Sequence, residues 1–360
     1  MFKKKIKNII LSNNFNYLQK YIIKKKINNI ILLLDKNIKR LFLSYFLKKN
    51  KLIKNIKIIV ISPGEKEKNL KISIKIWKKF IKYKIDKNSL LINLGGGVIT
   101  DLGGFVGFLF KRGIRVINIP TTLLGMIDAS IGGKNGINFL NYKNEIGIIK
   151  EPEIILINTF FLKTLPLNEK YSGYGELIKY SLINSKKLWN IIKKINIEKK
   201  KKWDKIIYKA VKIKLKIVKQ DPEEYIGIRK ILNFGHTIGH AIESFFLKKN
   251  KPISHGKAIS LGIICESWIS KKKGKLSKKE YKDIYKYIKK KYKFKPIKDK
   301  YFNNILKYIK NDKKNNNKKI FMVLLKKIGK PIFYKNIKKS LIIKSLKKLN
   351  NLFKKNKCKE

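Results

Sequence analysis

Short apolar runs alternate with amphipathic stretches through the first half of the chain. Residues 30–34, 56–61, 89–94 and 116–119 are leucine-rich or β-branched, each is bounded by polar turn residues, and the segments between them have helical character. That alternation predicts a parallel sheet with crossover helices. Beyond about Ile157 the texture changes. Lysine-rich stretches such as 186–219 and 278–292 place apolar residues at spacings of three and four, which predicts helices with one buried face. The expected architecture is therefore an α/β domain over residues 1–158, a mainly α-helical domain over 159–345 and a fraying basic tail over 346–360. Residues 311–319 read as an exposed loop, and there is no internal repeat.

Charge qualifies this picture. The 360 residues include 88 Lys+Arg against 23 Asp+Glu, a formal net charge of +65 that by itself points to a polyanion-binding protein. Only four of the cations are arginines, Arg40, Arg112, Arg115 and Arg229, and the lysines run from one end of the chain to the other. Base-reading proteins rely on the planar guanidinium fork, whereas lysine supplies a point charge. Lysine, asparagine and isoleucine are enriched together, as in IKKKINN and NDKKNNNKK. The expectation is a composition bias at permissive surface positions, with no specific nucleic-acid partner. Cys265 and Cys358 are too few and too far apart for a disulfide framework. The start of the chain lacks a signal-peptide core, and the most apolar window, 94–110, is too short for a membrane span and carries Asp101. These features predict a cytoplasmic protein without a membrane partner.

Three segments carry candidate chemistry. In INLGGGVITDLGGFVGFLF, three glycines follow a buried strand and precede a helix, so backbone N–H groups can approach a phosphate closely. The spacing is not G-x-G-x-x-G, and a tight turn needed only for packing is the other reading. Asp35, at the end of the first clear strand, could hold an adenosine ribose or could be an ordinary turn residue. In GMIDASIGGKNGINFLNYKN, Asp128, Lys134, Lys143 and Asn144 stand among small residues, as in a loop folded on a polar ligand or simply an ordinary loop. The third segment holds all three histidines of the chain, His236, His240 and His255. A spacing of four puts the first two on one helix face, and Glu176 offers an oxygen ligand; a mixed N/O set suits zinc with one position open. A hydrogen-bonded helix-cap cluster without metal is the alternative.

PGEKEKNL, LGGGVITDLGGFVG, KRG at 111–113, IPTTLLGMIDASIGGKNGIN, YKNEIG, LPLNEKYSGYGELIKY, GIRKILNFGHTIGHAIE and HGKAISLG occur together and in order. In this the chain resembles the 3-dehydroquinate synthases, a sugar-phosphate cyclase family, over about residues 30–330. The resemblance implies a Rossmann-like NAD-binding domain followed by a helical metal- and substrate-binding domain, and a homodimer. It places Asp35, Glu65, Lys66, Gly96, Gly97, Asp101, Thr121 and Thr122 around NAD. Glu176, His236 and His255 match the zinc ligands, with cobalt as a substitute, while His240 matches a residue near the reacting centre and not a ligand. Arg112, Asp128, Lys134, Lys143, Asn144, Lys179, Arg229 and Asn233 match the substrate-binding set, together with one of Lys313 and Lys314, taken as Lys314.

The implied reaction is a step of the shikimate pathway, the conversion of 3-deoxy-D-arabino-heptulosonate 7-phosphate to 3-dehydroquinate and phosphate. It proceeds by transient oxidation with NAD, β-elimination, re-reduction and intramolecular aldol closure, and the substrate's own phosphate takes part in proton transfer. Two departures stand out. Lys257 replaces the acid usual in HGE, and DPEEYIGIR is one residue longer than expected, so Tyr225 stands where a glutamate should and either Glu224 serves through a local bulge or that contact is lost.

Overall fold

The structure is a computed structural model that describes residues 3–51, 55–140, 142–198, 203–310 and 320–354. The chain forms two compact units, Met1–Pro166 with Lys200–Lys216, and Leu167–Lys199 with Ile217–Glu360.

The first unit contains β1 (Lys3–Ile6), β2 (Ile9–Ser12), α1 (Asn16–Lys24), β3 (Ile30–Asp35), α2 (Lys36–Lys49), β4 (Ile56–Ile61), α3 (Leu70–Lys82), β5 (Leu90–Gly95), α4 (Gly97–Leu109), β6 (Arg115–Pro120), the hairpin β7 (Lys134–Phe139) and β8 (Tyr142–Ile149), and β9 (Ile154–Ile157). Seven strands form one sheet in the order β1-β2-β9-β6-β5-β3-β4. All of its pairings are parallel except β1 with β2. Ile30–Leu34 in β3 and Leu90–Ile92 in β5 are essentially inaccessible, as strands covered on both faces must be. Ile31, Leu33 and Leu91 pack with Ile76 and Phe80 of α3 and Leu102 and Val106 of α4. Burying each such side chain stabilises by about 1.5–3 kcal/mol.

The chain runs from β3 outward to β4, then crosses back to β5 on the other side of β3. This reversal creates a crevice at the C-terminal ends of β3 and β5, the usual position for a nucleotide in an open α/β sheet. The segment expected to be a loop around 125–144 is instead a π-helical turn, Gly125–Ala129, followed by the β7–β8 hairpin.

The second unit holds α5 (Leu167–Asn184), α6 (Lys186–Lys193), the end of α7 (Trp203–Gln220), α8 (His236–Lys248), α9 (His255–Lys272), α10 (Lys278–Lys291), α11 (Phe302–Lys310), the β10 (Met322–Lys327) and β11 (Lys330–Tyr334) pair, and α12 (Lys339–Lys354). Its centre is α9, against which α5, α8, α10 and α12 pack. Sequence signals set the helix ends: in α10, Ser277 is the N-cap, its hydroxyl accepting from the Glu280 N–H and donating to the Glu280 carboxylate, while Tyr281, Ile284 and Ile288 form the buried stripe.

Two expectations are corrected. A single cut at 158 is too simple, because most of α7 joins the first unit: Asp204 bonds Thr159, and Lys214 bonds Asp128. The supposed tail from 346 is the second half of α12, with Leu346 and Leu349 fully buried, because its apolar positions keep the helical spacing. Residues 355–360 and 311–319, the latter expected to be an exposed loop, lie outside the described residues. Among the described residues no helix is long and apolar enough to cross a membrane.

Candidate active site

In the first unit, the expected cofactor residues gather at the C-terminal edge of the parallel sheet. Asp35 ends β3, Gly96 and Gly97 follow β5, and Thr121 and Thr122 follow β6. The N-terminus of α4 has no side-chain cap, so its N–H groups remain for an anion. Thr121 Oγ1 is buried with no hydrogen-bond partner among the described residues. An uncapped helix start beside an orphaned hydroxyl fits a bound dinucleotide. Asp35 also caps α2, accepting from the Asn37 and Ile38 N–H groups at 2.8 and 3.0 Å, so the cofactor reading and the structural one coexist there.

Lys66, expected near the cofactor, is exposed. The short 3-10 turn Glu65–Glu67 directs Lys68 inward instead, where it is 3% exposed and bonds Asp101 Oδ2 and Asn144 Oδ1, each at 2.5 Å. Burial raises the Asp101 pKa, and the Lys68 ammonium opposes that shift. Glu65 is exposed and accepts from Asn138 at 2.9 Å. Asp128 is held by Lys214, whose Nζ lies 2.5 Å from Oδ1. Lys134 and Lys143 lie exposed on the β7–β8 hairpin, and Arg112 is exposed in the turn after α4.

In the second unit, α5 and α9 cross in backbone contact: a Cβ on Gly256 would lie 2.1 Å from the Ser172 carbonyl oxygen. This brings Glu176 of α5 beside His255 at the first turn of α9. Glu176 is fully buried, and its Oε1 lies 3.4 Å from His236 Nε2 and 3.3 Å from His255 Nε2. The other ring nitrogens face outward. His236 Nδ1–H donates to the Phe234 carbonyl and His255 Nδ1–H to Glu243 Oε2, both at 3.2 Å, so both Nε2 atoms point into the cluster.

These distances are long for charge-assisted hydrogen bonds. Two ligands each about 2.0–2.1 Å from one tetrahedral ion stand roughly 3.3–3.4 Å apart, so the donor set fits a divalent cation. His240 is close as well, since one donor atom from each of the three histidines falls within 4.8 Å of the others. Burial opposes ionisation of Glu176, yet Lys179 and His236 hold its carboxyl well below the usual range. Burial, assisted by Lys179, lowers the His236 pKa. Burial also opposes charge on His255, but Glu176 and Glu243 outweigh it and push the ring up to about 10.

Residues 58–172 match the family model described as the 3-dehydroquinate synthase N-terminal domain, and residues 173–315 match the C-terminal one. A 3-dehydroquinate synthase from Pelagibacter ubique is 39% identical over 361 residues, covering 94% of this chain and 95% of that protein. The chain belongs to the 3-dehydroquinate synthase family. The synthase from Parabacteroides distasonis is 40% identical over 80% of this chain and 82% of its own length. A solved 2-deoxy-scyllo-inosose synthase, complexed with carbaglucose-6-phosphate, NAD+ and Co2+, superposes with a TM-score of 0.84 at 21% identity, covering 96% of this chain and all of that one, and so shares the fold.

Both departures from the synthase pattern have a structural description. Lys257 turns its ammonium over the Phe294 ring, 5.8 Å from the centroid, and Glu243 supplies the carboxylate behind His255. In the segment before Arg229, Glu224 has a φ of 69° and Tyr225 is 86% exposed, so Glu224 and not Tyr225 is the half-buried residue there. Arg229 itself is buried, and its guanidinium donates to the Pro222 carbonyl. Asn233 is half-buried at the end of the 3-10 turn before α8, and Lys314 lies outside the described residues. Lys68, Lys214 and Glu243 were missed by sequence reasoning. Of these, only Glu243 had a visible signal, one helical turn past His240.

Proposed function

We propose that this chain closes 3-deoxy-D-arabino-heptulosonate 7-phosphate to 3-dehydroquinate with release of phosphate, using NAD and one divalent metal, zinc or cobalt, held by Glu176, His236 and His255. The observation that carries the reading is that the buried Glu176 Oε1 lies 3.4 and 3.3 Å from the Nε2 atoms of His236 and His255, the separation of two ligands on one tetrahedral ion. When bound, NAD supplies reversible hydride acceptance and the metal supplies Lewis acidity toward the reacting hydroxyl and carbonyl. Glu243 and the Phe234 carbonyl hold the two imidazoles in the ligating tautomer. Lys179 offsets the charge of buried Glu176 and can accept an anionic substrate group. His240 stands beside the cluster as a polar group for the substrate. On the cofactor side, Lys68 takes the role expected of Lys66, beside Asp35, Gly96, Gly97, Asp101, Thr121 and Thr122. The remaining anion contacts fall to Arg112, Lys134, Lys143, Asn144, Arg229, Asn233 and Lys314. The same reading makes the protein a cytoplasmic homodimer.

Substrate competition tests this against a sister cyclase. Offered the heptulosonate phosphate and a hexose 6-phosphate together, the protein is expected to consume only the former; preferential consumption of the hexose phosphate would overturn the assignment.

Arg229→Lys keeps the charge but has one ammonium where a fork served both the Pro222 carbonyl and an anionic substrate group. A lost charged hydrogen bond is worth about 1.5–3 kcal/mol, so kcat/KM should fall roughly ten- to a hundredfold. Steady-state kinetics with metal analysis checks this. Metal content and NAD affinity should hold, exposed Arg40→Lys should be silent, and an Arg229→Lys enzyme within about twofold of the parent would remove Arg229 from the site.

The lysine surface should bind DNA weakly at low salt and release it near physiological ionic strength, where screening shortens to about 8 Å. A salt series of DNA-binding isotherms decides the matter: retention well above that strength with preference for one sequence would contradict the composition-bias reading.

A further inference from the structure

Glu266 lies on α9 away from every role assigned above, yet it is completely buried and both of its carboxylate oxygens are engaged. Oε2 accepts the Gly235 N–H at 2.6 Å, and Oε1 accepts the Ile238 N–H at 3.1 Å. These are the cap and third-residue (N3) positions of α8, the helix that begins with His236. A helix start normally satisfies them from its own cap and N3 side chains. Neither Gly235 nor Ile238 has a side chain that can do so. Gly235 has no alternative, because its φ is +81° and a Cβ there would lie 2.5 Å from Ile263 Cγ1. One carboxylate from the neighbouring helix therefore performs both halves of a capping box.

The Gly235 N–H and the Phe234 carbonyl belong to the same peptide unit, and that carbonyl accepts the His236 Nδ1–H at 3.2 Å. A continuous chain of hydrogen bonds thus runs from the Glu266 carboxylate through one peptide group to the ring whose Nε2 faces Glu176. Hydrogen bonds in series polarise one another, so a carboxylate at one end strengthens the acceptor at the other. His255 has its carboxylate directly, in Glu243; His236 Nδ1 instead meets the Phe234 carbonyl among the described residues. We propose that Glu266 is the positioning residue for His236, acting through the Phe234–Gly235 peptide to fix the ring and raise its strength as a metal ligand. The inference rests on the metal reading of Glu176, His236 and His255.

The test is titration of metal-free protein with Co2+, read as affinity and as the visible absorption bands of the bound ion, alongside thermal melts. The parent should bind one Co2+ per chain; a parent that does not would overturn the metal reading and this inference with it. Given parent binding, Glu266→Gln should weaken Co2+ affinity about tenfold or more and shift the bands. Ile242→Val, which loosens the buried face of α8 without touching the hydrogen-bond chain, should lower the melting temperature and leave affinity and bands unchanged. Should the Gln variant not fold, Glu266→Asp, with the charge kept but withdrawn by one methylene, should show the same weakening. Parent-like affinity and bands in the folded Glu266 variant, or equal losses in Ile242→Val, would overturn the proposal alone.

Discussion

Replacing His255 by alanine is expected to abolish most of the cyclase activity and most of the bound metal together. The substitution removes one of three converging donors, leaves Glu243 without its imidazole partner and takes one neighbour from fully buried Glu176. Lewis-acid stabilisation is worth several kcal/mol, so the loss should be roughly a thousandfold or more in kcat. His240→Ala makes the contrast: it should lower the rate while keeping the metal, since His240 is expected beside the reacting centre and not as a ligand. Metal analysis and kinetics on the two variants, and on parent protein stripped by a chelator and reloaded with zinc or cobalt, check the pair. A fully active metal-free preparation would end the metal reading.

The second large effect is expected at Lys68. Lys68→Met keeps the length of the side chain but leaves Asp101 and Asn144 without the ammonium that joins them. Breaking a buried pair by removing one partner costs about 3–5 kcal/mol, and the 20% exposure of the Asp101 side chain places this case near the lower end. A loss of about 3 kcal/mol corresponds to a fall of roughly 6–12 °C in Tm. NAD affinity should fall as well, because Asp101 lies one turn into α4, whose uncapped N-terminus is the proposed cofactor cradle. Exposed Lys66→Met should change neither quantity by much. Thermal melts and NAD titration separate the two lysines; a silent Lys68→Met with an impaired Lys66→Met would restore the sequence-based assignment.

That pair of lysines shows where sequence reading ran out. The strands at 30–34, 56–61, 89–94 and 116–119 were legible because mainly apolar runs bounded by turn residues are strong local signals, and each coincides with a strand of the sheet to within a residue. Strands β1, β2 and β9 are only four residues long, too short for their apolar residues to stand out, and the β7–β8 hairpin was hidden by its glycines and small residues. The histidine cluster was legible because only three histidines exist in the chain. Lysine carries no comparable information among so many. Whether Lys66 or Lys68 turns inward depends on a single 3-10 turn, and Lys214 sits in KIKLKIVK, which reads as an ordinary amphipathic helix face. Helix α12 was misjudged because its lysines masked a regular stripe at Ile342, Leu346 and Leu349.

Simultaneous recording of phosphate release and NADH absorbance, with purified protein, the heptulosonate phosphate and NAD, tests the central claim most directly. Because the cofactor is reduced and reoxidised within one turnover, phosphate should accumulate with the consumption of substrate while NADH does not build up beyond the enzyme concentration. NADH accumulating in proportion to substrate consumed, without phosphate, would mark a dehydrogenase and contradict the account.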